Sequence, residues 1–334
     1  MTVKLRRRTR PLLRWLLWLL PLPLVAWAFR QVSLPAVWQA LRQLTMPGIA
    51  VWLLGNGVVL ATMTMRWWLI LRAQGIHIPF WQALRYRQAS FGVSFFTPGP
   101  MFGGEPLQVL ALSRRHGVSH DDAVASVGLD RMLELVINFA FLMGAAWVLL
   151  PVQLPAWTTL SYWFALPLAL PAIYLGALAA GFRPLAAVFR PLVRYHDIIS
   201  SSEQQMGHLL RNGRTLWQLV IVSVLGYMAL LAEFTITLLI LGLTPNITQV
   251  LLLFATVRLS LLAPTPGGLG AVEAGQVLGF AFLGFDIAIA GSVMVLIRLR
   301  DLTLGLLGLH IAGTIWYGSY KDDGPAQTKR TKPG

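Results

Sequence analysis

The sequence predicts an all-α, polytopic membrane protein of about six full transmembrane helices plus two re-entrant helical hairpins related by an inverted repeat. Three observations carry that expectation. Apolar residues make up 56% of the 334 residues and charged residues only 12%, with a mean hydropathy of +0.65, which leaves too little polar surface for a soluble globule of this size. Uncharged or nearly uncharged stretches long enough to cross a bilayer core of about 30 Å, roughly 20 residues each, recur along the chain. One phrase is also written twice: Thr97-Pro98-Gly99 with Glu105 behind it, and Thr265-Pro266-Gly267 with Glu273 at the same step.

The elements follow in order. Lys4, Arg6, Arg7, Arg8 and Arg10 make residues 1–10 a basic, cytoplasmic N-terminus. The run 11–29 reads as a first span. Ala26-Trp27-Ala28 near its end resembles a signal-peptide cleavage site, but the bulky Trp and the breaks at Pro21 and Pro23 favour an uncleaved helix. Further continuous spans are expected at about 48–71, 122–150, 160–182, 215–242 and 288–317, so that 11–317 forms a single transmembrane domain and 318–334 a polar cytoplasmic tail. Ser119-x-x-Asp122 opens the third span as a helix cap. The basic loop 183–214, with Asp197 and Glu203, reads as an amphipathic connector lying on anionic lipid.

Two intervals, about 80–113 and 248–285, are apolar but interrupted in the middle. Proline removes a backbone donor and glycine loosens the chain, so neither reads as one straight helix. Thr97, Pro98, Gly99, Gly103 and Gly104 mark the first break, and Thr265, Pro266, Gly267, Gly268 and Gly270 the second. Two half-helices meeting at a turn inside the membrane fit both intervals. Basic residues fall beside the N-terminus, between Arg72 and Arg87, at Arg114 and Arg115, between Arg183 and Arg214, and between Lys321 and Lys332. The opposite side keeps Arg30 and Arg42 and two almost uncharged loops, 151–159 and 243–247. Both termini are then cytoplasmic. The first hairpin enters from the cytoplasm and the second from outside, which is the architecture of alternating-access carriers.

Charged residues inside these apolar stretches are the candidate site. Glu105 and Glu273 stand where a second half-helix begins. There a carboxylate caps backbone N–H groups, and it also pairs with a matching arginine about 25 residues on, Arg131 or Arg298. Arg131 with Glu134, and Arg298 with Asp301, lie three apart and share a helix face. Arginines facing a shared cavity suit a phosphate, whose oxygens the guanidinium grips in a bidentate fork. Arg258, seven residues before the second Thr-Pro-Gly, is expected to neighbour Glu273 or a bound anion. Asp130 and Arg300 read as nearer the interface, and Arg87 as snorkelling to it. Glu233 is a lone carboxylate suited to proton coupling or to pairing with another helix. The glycines at the breaks allow close backbone approach, either to a head group or between helices.

Several function classes drop out. No cysteine is present, which removes disulfides, thiolate metal sites and thiol catalysis, and the six histidines lack ligand spacing. No HExxH, GxSxG or Walker pattern occurs, so no metal or cofactor is expected. The formal charge of +14 is spread beside apolar spans, not gathered into a stripe, and reads as topology and attraction to anionic lipid, not as a nucleic-acid footprint.

At these residues the chain resembles the transmembrane family of lysylphosphatidylglycerol synthases, the flippase-like region also found as stand-alone inner-membrane proteins. The resemblance rests on Pro98-Gly99, Gly104-Glu105-Pro106, Arg114-Arg115-His116-Gly117-Val118 and Asp130-Arg131. It continues through Pro264-Thr265-Pro266-Gly267-Gly268-Leu269-Gly270-Ala271-Val272-Glu273-Ala274 and Arg298. In two-part members this region moves an aminoacylated phospholipid between leaflets and a separate soluble domain makes it. The expectation here is the stand-alone form, without lipid aminoacylation. The resemblance implies a bacterial-type inner-membrane lipid translocase, with membrane lipids of anionic or zwitterionic head group as partners and a lipid-synthesising enzyme as a further partner. A membrane transferase acting on lipid-linked substrates, with Glu105 or Glu273 as base, and a non-transporting partner of a lipid-modifying enzyme remain the alternatives.

Overall fold

The computed structural model describes residues 34–97, 103–149, 155–188 and 193–322, together with Trp27 and Arg30. The expected first span other than Trp27, the N-terminal basic residues, most of the tail, and the break residues Pro98 and Gly99 lie outside the described residues. Among the described residues the chain is all-helical, with twelve α-helices and one short 3-10 turn.

Two runs of elements share a plan. In the first, α1 (Leu34–Arg42) leads into the long α2 (Met46–Ala73), then two short helices, α3 (Phe80–Phe95) and α4 (Glu105–His116), then the long α5 (His120–Leu149). In the second, the long α9 (Gly213–Ile240) is followed by two short helices, α10 (Ile247–Ser260) and α11 (Ala271–Phe282), and the long α12 (Ile287–Asp322). Between the runs lie α6 (Pro155–Ala179), α7 (Pro184–Val188) and α8 (Val193–Arg211).

Helix lengths follow from where the sequence allows an apolar run to continue. The 28 residues of α2 extend about 42 Å at 1.5 Å per residue. Thr45 starts that helix by accepting the Gly48 N–H, with Pro47 where its missing donor costs nothing. Among the described residues three helices are long and apolar enough to cross a membrane, Met46–Ala73, His120–Val148 and Gly213–Ile240. The 36-residue α12 is longer but carries Arg298, Arg300 and Asp301 in its apolar stretch. The short helices behave differently. With 16, 12, 14 and 12 residues they extend only about 24, 18, 21 and 18 Å, so none reaches across a core of about 30 Å. α3 packs on α4 and α10 on α11, giving two helical hairpins where the sequence predicts them.

The runs interlock. α2 lies along α9, α3 along α12, and α10 against α5. The tips touch as well, since α3 meets the turn at Pro266–Gly268. Gly267 there has a φ of 54° and sits so close to Phe95 that an added Cβ would lie 2.5 Å from the ring. At the first tip, a Cβ on Gly104 would fall 1.9 Å from the carbonyl oxygen of Ser90. At these two glycines the close backbone approach is to neighbouring protein, not to a head group. The contact of α3 with α12 is also backbone on backbone: a Cβ on Gly92 would meet the Leu309 nitrogen at 2.5 Å, and one on Gly308 the Gln88 oxygen at 2.2 Å.

Large apolar side chains stand outward along the long helices, among them Leu54 at 69% exposure and Leu306 at 60%. Facing water this would be costly; facing acyl chains it is not. The connector 183–214 departs from expectation. It folds into α7 and α8, and the apolar side of α8 (Met206, Leu209, Leu210) is buried against Leu133 of α5 and Leu175 and Leu178 of α6. That face is covered by protein, not lipid. Buried Glu203 of α8 accepts the Leu185 and Ala186 N–H groups at 2.9 Å each, tying down the start of α7.

Candidate functional site

The two glutamates after the breaks do two jobs at once. Glu105 Oε2 accepts the Gly103 N–H at 2.7 Å while Oε1 lies 3.0 Å from Arg131 Nε. Glu273 Oε2 accepts the Gly270 N–H at 2.8 Å, and its two oxygens take Arg298 Nε and Nη2 at 2.6 and 2.8 Å. Glu273 therefore caps the start of its half-helix, Glu105 holds the turn just before its own, and each anchors its half-helix to the following long helix. Capping and ion pairing, separate readings in the sequence, coexist.

The second pair is a closed clasp. Arg298 also donates to the carbonyls of Gly267 (2.7 Å) and Gly268 (3.1 Å), which the 3-10 turn leaves unbonded. A guanidinium has five N–H donors, and four are spent on the break. Asp301, three residues on, is not its partner, contrary to the expectation from spacing. Asp301 accepts instead from Arg300 Nε at 2.8 Å, and Arg300 Nη1 reaches Glu233 of α9 at 3.0 Å. The two side chains diverge because Arg298 turns to Glu273 and the break carbonyls, while Asp301 is held by Arg300 of its own helix.

The first pair opens into a network. Arg131 also binds Glu134 at 2.9 Å. Arg66 of α2 holds Asp130 at 2.6 Å and Glu134 at 3.3 Å, and Arg87 of α3 holds Asp130 at 2.6 Å. The sequence reading assigns no role to Arg66 and puts Asp130 and Arg87 near the interface. In the fold Arg66 and Asp130 are buried, and Arg87 turns inward. An arginine inside an apolar run was the available signal for Arg66. Arg258 departs from expectation too. Its Nε donates to Asn138 Oδ1 of α5 at 2.9 Å and its guanidinium lies 5.1 Å from the centre of the Tyr227 ring, so its neighbours are a neutral amide and an aromatic face, not Glu273.

These groups surround a cavity of about 270 Å³ between α2, α3, α5, α9, α10 and α12. Arg66, Arg87, Arg131, Arg258 and Arg300 reach its wall, against only Glu134 and Asp301 of the acids. The rest of the wall is mostly apolar, with Val59, Phe91 and Leu230, plus the amides of Asn56, Gln88 and Asn138. Of the residues singled out from sequence, the fold brings Arg131, Glu134, Arg258 and Asp301 to this cavity. Glu105 stands behind Arg131, while Glu273 and Arg298 with Thr265, Pro266, Gly267, Gly268 and Gly270 make the second tip, away from the wall. A wall rich in guanidinium groups is suited to holding an oxyanion.

The model of the lysylphosphatidylglycerol synthase TM region matches residues 14–308, nearly the whole chain. The chain belongs to that family. The match takes in both hairpins, the clasp and every charged group on the cavity wall. Membership and the apolar helices together make it a multi-pass membrane protein linked to lipid biology. No curated protein matches the chain.

Proposed function

We propose that the protein is a lipid translocase, not an enzyme, moving a phospholipid or other lipid-phosphate between the leaflets of a bacterial-type cytoplasmic membrane, with both termini on the cytoplasmic side. The observation that carries this reading is the cavity at the meeting of the two runs, walled by five arginines inside helices that otherwise face acyl chains. An ionised arginine at bilayer depth costs about 2.5–3.5 kcal/mol on insertion scales; carboxylates at ion-pair distance offset Arg66, Arg87, Arg131 and Arg300, whereas among the described residues Arg258 has only Asn138 and the Tyr227 ring and is left for a ligand. The head group crosses through the cavity while the chains stay in the bilayer. The matched plan of the two runs supports an inverted repeat with the cavity where its halves meet.

The test is leaflet exchange of a phospholipid in liposomes containing the purified protein, against protein-free liposomes. Leu230→Trp keeps every charge but fills the cavity, and is expected to lower exchange at least tenfold. Exchange no faster than in empty liposomes, or unaffected by the plug, would sink the reading.

A further inference from the structure

The charges around the cavity divide unevenly. Arg66, Arg87 and Arg131 are matched by Asp130, Glu134 and Glu105, three against three. Arg298 and Glu273 match each other at the second break. Two groups are left. Arg258 meets only Asn138 and the Tyr227 ring, and among the described residues no carboxylate lies within ion-pair distance of it. Arg300 has the reverse surplus, one guanidinium serving two carboxylates, Glu233 and Asp301. The Arg300 bond to Asp301 uses Oδ1 alone, and among the described residues the second oxygen has no partner. Arg258 and Asp301 both stand on the cavity wall. The cavity wall thus carries a guanidinium without a carboxylate partner, Arg258, and a carboxylate with an open oxygen, Asp301, in an ion cluster that is neutral as a whole.

We infer that the cavity selects a zwitterionic head group, a phosphate ester carrying a protonated amine, with the phosphate at Arg258 and the ammonium at Asp301. This rests on the translocase reading and narrows its substrate. A guanidinium fork suits phosphate oxygens, and a primary ammonium has three donors for the open oxygen of Asp301 and for nearby amide oxygens such as that of Asn56. A purely anionic head group answers Arg258 but leaves the surplus carboxylate uncompensated in a low-dielectric site; a purely cationic one does the reverse. A quaternary ammonium has no N–H for Asp301.

The experiment measures lipid binding and lipid exchange on the same purified protein, with phosphatidylethanolamine, phosphatidylcholine and phosphatidylglycerol of identical chains. Native mass spectrometry reads competition for binding, and leaflet labelling in liposomes reads exchange. The expected result is at least a tenfold preference for phosphatidylethanolamine over phosphatidylglycerol in wild type. Asp301→Asn keeps an acceptor for Arg300 but removes the negative charge, and should reverse the preference towards phosphatidylglycerol. Asp301→Glu should restore it. Arg258→Gln should weaken binding of all three phospholipids. Equal binding of the lipids, a wild-type preference for phosphatidylglycerol, or a preference unmoved by Asp301→Asn overturns the inference while leaving translocation standing. Selective binding without exchange above that of empty liposomes supports the charge pattern and overturns the translocase reading. Wild-type selectivity decides the matter even where a variant fails to fold.

Discussion

The two breaks begin from the same words and end as different devices. At the second, Arg298 and Glu273 close on each other and on two glycine carbonyls, with the Glu273 side chain only 4% exposed. At the first, Glu105 and Arg131 are each 19% exposed, and Arg131 is shared with Glu134, which Arg66 also holds. One pair is a fastening; the other is the edge of a network that faces the cavity. Matched sequence thus fixes where a carboxylate and an arginine meet, while the neighbours decide whether the pair is spent on structure or available to a ligand.

That contrast can be broken by substitution. The largest effect belongs to Arg298→Ala. It strands a buried carboxylate and frees two turn carbonyls, and should cost about 3–5 kcal/mol in reversible denaturant unfolding of the micelle-bound protein. Gly104→Ala comes next, because its new methyl collides with the backbone of α3 at Ser90; a loss of about 3 kcal/mol is expected in the same assay. Arg131→Gln should cost less, about 1–2 kcal/mol, since Arg66 and Arg87 remain to hold Glu134 and Asp130 and cavity water can reach the residue. Its larger effect should be on lipid exchange, a drop of at least tenfold. If Arg131→Gln destabilises as much as Arg298→Ala, the division between fastening and network is wrong. The smallest effect tests the hairpin entries. Asn246 and Gln249 exchange two capping bonds at the start of α10, whereas α3 starts at Pro79 with no side-chain cap. Asn246→Ala should therefore cost about 1 kcal/mol, and Pro79→Ala less.

Much of the fold was readable because a membrane penalises interruption. Runs without charge gave the spans at 48–71, 122–150 and 215–242 to within a few residues of α2, α5 and α9. Thr-Pro-Gly in apolar sequence gave both hairpins. Pairing between helices was less legible. Spacing of three put Arg298 and Asp301 on one face, but spacing carries no information about Glu273, Glu233 or the carbonyls that draw them apart. Arg66 was hidden by its neighbour Arg72, which makes the end of α2 look like an interface. For 183–214 the amphipathic pattern was sound, yet an apolar stripe has the same periodicity whether lipid or α5 and α6 cover it.

The contact between α3 and α12 bears on how such a cavity can open. Interdigitated side chains can re-seat one rotamer at a time, so helices joined that way slide in small steps. At Gly92 and Gly308 there is nothing to re-seat, because the two backbones rest on each other, and Gln88 Nε2 donates across the same contact to the Leu304 carbonyl at 2.6 Å. A strip of the first hairpin is thereby riveted to the last helix of the second run. On the translocase reading proposed above, these two helices would move as one body, and opening would fall to the remaining walls, α2, α5 and α9.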